Sequence, residues 1–98
     1  MTKKYSTRSQ SSTFQRKRND IDIIAAILKK AKTGARKTRL MYYCNLSYTQ
    51  LENYLSFLLE IGLLDSHPVK QNNRKSYWTT PRGLKFLDTY SQLKILMI

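Results

Sequence analysis

The sequence predicts a mainly α-helical domain that carries one small β-hairpin and ends in a long helix. Three features of the chain lead to this fold class. Apolar residues recur at helical spacing between positions 51 and 59, directly after a polar segment. A basic polar loop then precedes a short alternating aromatic segment, and a Thr-Pro pair opens the last apolar stretch. We expect three parts, namely a flexible basic arm over residues 1–18, the folded domain over residues 19–80 and a C-terminal dimerisation helix over residues 81–98.

The charge of the chain favours a polyanionic partner. Its 98 residues include 18 Lys and Arg against 6 Asp and Glu, which gives a formal net charge of +12. Solubility rarely requires such an imbalance in one small domain, so nucleic acid is the first candidate and an anionic membrane surface the second. Residues 1–18 hold six basic and no acidic side chains among Ser, Thr and Gln. This composition is typical of a flexible arm that cannot fold alone.

The first helix is predicted to begin at Asn19 or Asp20 and to end at Gly34. Acidic residues in its first turn and lysines in its last turn match the helix dipole. Its apolar side chains share one face, which we expect to be buried. They are Ile21, Ile24, Ala25, Ile27, Leu28 and Ala31.

A short second helix over residues 37–43 and a third helix after Ser47 are predicted to form a helix-turn-helix. Ser47 followed three residues later by Gln50 is a capping box. Apolar residues then follow the spacing of one buried helical face. They are Leu51, Tyr54, Leu55, Leu58 and Leu59. In this arrangement the second of the two helices enters the major groove of DNA, so double-stranded DNA is the partner we expect.

Polar residues near the start of the third helix are the candidates for contact with the bases. They are Ser47, Tyr48, Thr49, Gln50 and Asn53. Capping is the favoured single role of Gln50, and a solvated position is an equal alternative for Asn53. An amide can pair with adenine, whereas this helix has no Arg or Lys for guanine. We therefore expect modest sequence discrimination, with phosphate contacts dominating.

The segment after Gly62 is predicted to form the hairpin, which completes a winged helix-turn-helix. Its first strand begins at Leu63 and Leu64, and residues 75–79 alternate as a second strand. Two cationic groups are expected to clamp phosphates on either side of the third helix. They are Arg36, Lys37 and Arg39 at the second helix, and Lys70, Arg74 and Lys75 on the wing. The wing residues Asn72 and Asn73, at the hairpin turn, are also expected to contact DNA. In the second strand, at least one of Tyr77 and Trp78 should face the core.

The last helix is predicted to begin after Thr80, with Pro81 in its first position, and to run to the C-terminus. Apolar residues recur in it at spacings of four, three and four, which is a heptad seam. They are Phe86, Tyr90, Leu93 and Met97, and Leu84 and Leu87 beside them should pack on the domain. Residues 94–98 make a poor free surface, so we expect a homodimer paired through this helix. The alternative is that the helix folds back on the first helix of its own chain.

Three blocks of the sequence resemble a known family. ILKKAKTGARKTRLMYYCNLSYTQLENYLSFLLEIGLL, YWTT and PRGLKFLDTYSQL are similar to small archaeal winged-helix proteins, the chromatin-associated class of about ten kilodaltons. The resemblance covers residues 18–93 and is most specific in GARKTRLMY and NLSYTQLENYL. It implies homodimers that pair through an antiparallel coiled coil of C-terminal helices and bind duplex DNA without strong sequence preference. By position, the recognition helix falls on residues 47–61, the wing on 69–75 and the dimer helix on 81–98.

The sequence gives no support for an enzyme, a metal site or a cofactor. Its one histidine, His67, stands in a loop, and its one cysteine, Cys44, has no second thiol for a zinc set. The carboxylates after Asp22 are scattered, and no glycine-rich phosphate loop is present. No segment has the roughly 20 apolar residues that span a bilayer. We expect no membrane partner, no small-molecule substrate and a cytoplasmic, nucleoid-associated protein.

Other functions stay open at this point. A sequence-specific transcriptional regulator would use the same scaffold and differ in its specificity ratio. A protein-interaction module would use the wing and the aromatic residues to contact another polypeptide. RNA binding is less favoured, because the sequence lacks the pattern of an exposed aromatic sheet.

Overall fold

The computed structural model describes residues 19–69 and 74–98, which form four helices and a three-stranded sheet. The predicted winged helix-turn-helix with a C-terminal helix is confirmed. Its elements in chain order are α1 (Asp20–Lys30), a 3₁₀ turn (Ala31–Thr33), β1 (Ala35–Arg36), α2 (Lys37–Cys44), α3 (Tyr48–Glu60), β2 (Leu64–Val69), β3 (Arg74–Thr79) and α4 (Pro81–Leu96). None of the described helices is both long and apolar enough to cross a membrane.

Side-chain caps define the starts of three helices. Asn19 caps α1, where its Oδ1 accepts a hydrogen bond of 2.9 Å from the Asp22 amide. Ser47 caps α3, and its Oγ accepts from the Gln50 amide at 3.1 Å. The α4 cap is Thr80, with Pro81 in the first helical position. Each cap satisfies amides that a helix start leaves without partners, so these predicted boundaries are confirmed.

The sheet contains one strand more than the predicted hairpin. Its order is β1-β3-β2, with both pairs antiparallel. The additional strand β1 has two residues, and Arg36 lies opposite Ser76. Two residues are too few to show the alternation that identifies a strand in a sequence. In β3, Tyr77 faces the core and is 5% exposed, while Trp78 faces outward.

The core lies between the helices and the inner face of the sheet. Its fully buried side chains include Ile27, Leu28, Leu40, Leu51, Leu58 and Leu64. Three residues that we expected inside are exposed, namely Ile21, Leu59 and Leu84. Ile21 belongs to the first turn of α1, at the limit of the core, and Leu59 is at the edge of the apolar face of α3. Leu84 is turned away because α4 packs through the face that holds Leu87.

The first half of α4 packs against its own domain rather than leaving a free seam. Phe86 and Tyr90 are half-buried against the core, and their rings stack with centroids 6.5 Å apart. The Tyr90 hydroxyl donates a hydrogen bond to the Asp22 carboxylate at the start of α1. Leu93 and Met97, by contrast, are 49% and 66% exposed. The N-terminal half of the predicted seam, Phe86 and Tyr90, therefore packs on its own chain, as the alternative prediction proposed. Only the C-terminal half, Leu93 and Met97, is exposed and available to a second chain.

The hydrogen bond between Tyr90 and Asp22 predicts a pH-dependent contribution to stability. It is the largest influence that lowers the pKa of Asp22, and it raises the pKa of Tyr90 to about 12. The contribution of Asp22 is present above its unfolded pKa near 3.8 and is lost as the pH falls through its lower folded value. The contribution of Tyr90 is present below pH 10 and is lost as the pH rises towards about 12.

Tyr90→Phe should therefore lower the free energy of unfolding by about 1 kcal/mol at neutral pH, allowing for partial exposure of the carboxylate. The difference from the unaltered chain should shrink below pH 4 and above pH 10, which urea titrations across this range would measure. Tyr42→Phe is the matched control, because Tyr42 is 81% exposed. A difference that is constant with pH would contradict the assignment.

Candidate nucleic-acid interface

The turn between α2 and α3 depends on one residue whose backbone is in the left-handed helical conformation. Asn45 has φ 56° and ψ 54°, a conformation that Asn adopts more readily than most residues. Leu46 follows and is buried, and its amide donates to the Met41 carbonyl at 3.0 Å. Ser47 then begins α3 as its cap. This short turn fixes the direction of α3 relative to α2.

The outer face of α3 is polar and exposed. Thr49, Asn53, Ser56 and Glu60 lie on this side, opposite the buried Leu51 and Leu58. All five residues assigned from the sequence to base contact are exposed. They are Ser47, Tyr48, Thr49, Gln50 and Asn53. We call Thr49, Asn53 and Ser56 the polar ridge of α3.

Two of those five residues cap the start of α3, and a third, Tyr48, lies against the Lys37 ammonium. The Gln50 Oε1 atom accepts a hydrogen bond of 2.9 Å from the Ser47 amide, while Ser47 Oγ accepts one from the Gln50 amide. This is the reciprocal capping box that the sequence predicted. The acceptor atoms of both side chains are therefore engaged in starting α3, as expected for Gln50. Thr49 and Asn53 remain the better placed residues for outward contacts.

Cations from β1, α2 and β3 meet on one flank of α3 rather than on its two sides. Arg36, Lys37, Arg74 and Lys75 line a shallow groove, which we call the α3 groove, together with the α3 residues Tyr48, Glu52 and Ser56. The antiparallel pairing of β1 with β3 brings the start of α2 to the base of the wing. The sequence predicts two separate cationic groups, one on either side of α3, whereas the structure places these four residues in one groove.

Lys37 forms an ion pair with Glu52 inside the α3 groove. The Lys37 ammonium also lies 5.1 Å from the centre of the Tyr48 ring. The hydrogen bond between Lys37 and Glu52 is the main influence that raises the pKa of Lys37 and lowers the pKa of Glu52. Both groups stay charged near neutral pH, so Glu52 offsets one of the cations of the groove. No pattern in the sequence identifies this acidic residue as part of the site, because Glu52 stands 15 positions from its partner.

Arg39 lies apart from the α3 groove. It lines a second depression with Lys30, Tyr42 and Tyr43, and Arg36 and Arg74 border this depression as well. We call it the tyrosine groove. The Lys30 ammonium lies 4.7 Å from the centre of the Tyr43 ring, at the distance of a cation–π contact. The predicted clamp residues of α2 thus divide between two adjacent surfaces.

The wing is described at its base only. Arg74 and Lys75, at the start of β3, are exposed. The other wing residues that the sequence analysis assigned to DNA, which are Lys70, Asn72 and Asn73, lie outside the described residues. In the described part of the chain, no cluster of three or more His, Cys, Asp or Glu residues is arranged to hold a metal ion.

Comparison with known proteins identifies the fold. A family described as winged helix-turn-helix matches residues 17–97. A DNA-binding protein from Sulfolobus solfataricus has a similar crystal structure, with a TM-score of 0.74, 24% sequence identity and 82% of each chain covered. The S. aureus protein MepR in complex with DNA superposes with a TM-score of 0.69 and 17% identity over 90% of this chain and 73% of the other.

A relative with 29% identity over 82 residues is an uncharacterised protein of Methanocaldococcus jannaschii. The match covers 83% of this chain and 78% of that protein. At these levels of identity, the two solved structures establish the fold of the chain.

Proposed function

This chain belongs to the winged helix-turn-helix family, and we propose that it binds double-stranded DNA as a homodimer in an architectural, chromatin-type role. Sequence discrimination is modest in this proposal, and contacts with the phosphates supply most of the affinity. One observation carries the proposal. A cationic groove formed by β1, α2 and β3 runs along one flank of the exposed polar ridge of α3.

The groove and the ridge match two different parts of a DNA duplex. Arg36, Arg74 and Lys75 bind consecutive phosphates, which releases condensed counterions and makes the affinity fall steeply with salt. The polar ridge then faces the major groove, where the Asn53 amide is suited to adenine. Because α3 carries no Arg or Lys, the commonest contact with guanine is missing from the ridge.

A titration of labelled duplex by fluorescence anisotropy tests the proposal. Random-sequence duplex should bind, and its affinity should fall by a thousandfold or more between about 50 and 200 mM salt if six or more phosphates are neutralised by the dimer. Sedimentation velocity on the same samples gives the number of chains in each complex. If no complex forms even at the lower salt concentration, the protein-interaction alternative replaces this proposal.

A sequence-specific transcriptional regulator is the second candidate. Its support is the likeness of the fold to a MarR-family transcription regulator, with a TM-score of 0.64 and 19% identity over 88% of this chain and 61% of the other. The two candidates differ in the ratio of specific to non-specific affinity. A ratio above about a thousandfold among genomic fragments favours the regulator, and a smaller ratio favours the architectural protein.

Glu52→Gln should strengthen binding to duplex DNA by about threefold to tenfold at low salt. The change removes a carboxylate from the phosphate-facing groove and releases Lys37 for a phosphate contact. The slope of log affinity against log salt should then steepen by about one for each chain of the dimer. Glu60→Gln is the matched control, because it changes the net charge equally at an exposed position of the same helix. Equal gains in the two variants would mean that only net charge matters.

The basic arm supplies additional phosphate contacts in this proposal. It joins the domain at Asn19, and the adjacent Asp20 lines a small cavity with Gln50 and Asn53 at the start of α3. The arm is thus attached beside the surface that meets DNA. Removal of residues 1–18 should lower duplex affinity and the salt slope while the melting temperature stays unchanged. An unaltered salt slope would exclude the arm from the complex.

A further inference from the structure

We infer that the tyrosine groove, defined above by Lys30, Arg36, Arg39, Tyr42, Tyr43 and Arg74, binds an unpaired nucleic-acid strand. This activity is additional to duplex binding by α3 and its groove. It would let the protein hold a single strand next to a duplex, at a junction or a locally melted site. The inference rests on the charge of the groove, on its exposed rings and on its position beside the α3 groove.

The groove combines four cations with two exposed aromatic rings. Lys30, Arg36, Arg39 and Arg74 surround it, and none of the described residues that line it is acidic. A surface with this charge attracts a polyanion, and the α3 groove differs from it because Glu52 offsets Lys37 there. Uniform positive charge favours ligands that carry phosphodiester or carboxylate groups. The rings of Tyr42 and Tyr43 distinguish between these two classes of ligand.

Tyr42 is the residue that favours a nucleic acid. Tyr42 is 81% exposed, so its ring contributes little to the packing of the core. Tyr43 beside it is 54% exposed. Aromatic rings on a basic surface stack with unpaired bases, whatever the base, and are typical of single-strand binding sites. The bases of an intact duplex are already stacked on each other and offer no such face. An acidic peptide would use the cations and leave the rings without a function.

The fold positions these residues for one continuous strand. Arg39 and Tyr42 are three residues apart on α2 and therefore neighbours on one face of the helix. Arg36 and Arg74 line both grooves, so the cationic surface is continuous from the α3 groove to the tyrosine groove. A strand that leaves the duplex surface can follow it. The single tryptophan of the chain, Trp78, lies over Gly34, which also lines the tyrosine groove. A Cβ atom at position 34 would come within 2.6 Å of the indole ring.

The test measures binding of the full chain to three ligands, namely a thymidine oligonucleotide, an abasic oligonucleotide of equal length and a poly-glutamate peptide. We expect the thymidine oligonucleotide to bind at least fivefold more tightly than the abasic one, given a stacking contribution of about 1–3 kcal/mol per base. Binding should also change the fluorescence of Trp78. Equal affinity for the abasic strand, or tighter binding of the peptide, would overturn the inference.

Variants assign the binding to this groove. Tyr42→Ala should weaken oligonucleotide binding by about fivefold or more and leave duplex affinity within about twofold. Tyr42→Phe keeps the ring and should retain the affinity, and Lys85→Ala, an exposed cation on α4, should have no effect. If Tyr42→Ala leaves oligonucleotide binding unaltered, or weakens duplex binding equally, the inference is wrong. Because the duplex is titrated in parallel, failure of the proposed duplex function would be recorded separately.

Discussion

Replacing Arg36, Arg74 and Lys75 together by alanine should weaken binding to duplex DNA by at least about a hundredfold near physiological salt. These three cations line the same groove beside α3 and project from exposed positions. Each phosphate contact that is lost removes about 0.9 from the slope of log affinity against log salt. Because the proposed dimer loses three contacts in each chain, its slope should fall by about 5. The loss should be uniform across DNA sequences, because phosphates carry no sequence information directly.

The control for this variant must change the net charge equally at a different place. Lys32, Arg82 and Lys85 are exposed cations, on the turn after α1 and in the first turns of α4. Their joint replacement by alanine should weaken binding by only a few fold, through the general field of the protein. Anisotropy titrations at several salt concentrations would measure both triple variants. If both lose affinity to the same degree, binding depends on total charge and the α3 groove is not the phosphate site.

The helix starts were predictable because they depend on residues that are adjacent in the chain. Asn19, Ser47 and Thr80 each cap a helix through contacts no more than three positions away, and such contacts are visible in a sequence. The buried face of α3 follows from spacing alone, except at Leu59 on its edge. By the same reasoning β1 was not predictable, since two residues form a strand only when β3 lies beside them.

The sequence identified which residue types form the candidate site. It did not show which of these residues lie next to each other in the fold. Arg36 and Arg74 meet because β1 pairs with β3, and no pattern in the chain shows that pairing. The pair of Lys37 with Glu52 likewise depends on how α2 crosses α3. The separation of Arg39 from Lys37 was within reach of the sequence. Two positions along a helix differ by about 200° around its axis, so the two side chains face nearly opposite directions.

The heptad spacing in α4 is an example of a pattern with two structural solutions. Phe86 and Tyr90 satisfy it by packing on the core of the same chain, where Tyr90 also bonds to Asp22 of α1. Leu93 and Met97 continue the same spacing beyond the reach of the domain, where they stay exposed. Apolar residues at helical spacing indicate that one face of a helix is buried. The spacing does not indicate whether that face packs against the same chain or against another chain. Only the three-dimensional arrangement separates the two halves.

Phe86→Ala distinguishes those two halves by experiment. Because the ring packs on its own domain, its loss should lower the melting temperature by several degrees while the number of chains in solution stays the same. Thermal unfolding and sedimentation velocity of the same preparation would show both effects. A monomeric Phe86→Ala protein with an unaltered melting temperature would place the ring in the contact between chains instead.

Leu93→Lys with Met97→Lys should convert a dimer into monomers and lower duplex affinity by at least about a hundredfold, since each chain would then bind alone. The exposed apolar side chains of the α4 end support this expectation. They are Leu93, Ile95, Leu96, Met97 and Ile98, with exposures from 49% to 103%. Such a cluster is unfavourable in water, and the same segment of a second copy is the simplest cover for it in a closed assembly. Two lysines in that contact would bury unpaired charge, which strongly disfavours association.

Thr89→Lys with Gln92→Lys is the matched control, because it adds the same two charges to exposed polar positions of α4. This protein should sediment as the unaltered chain does and keep its affinity for duplex DNA. If the variant at Leu93 and Met97 remains dimeric, the chains pair through another surface. If both variants and the unaltered chain are monomeric at micromolar concentration, the dimer itself is excluded, and binding by one domain must account for any affinity that remains.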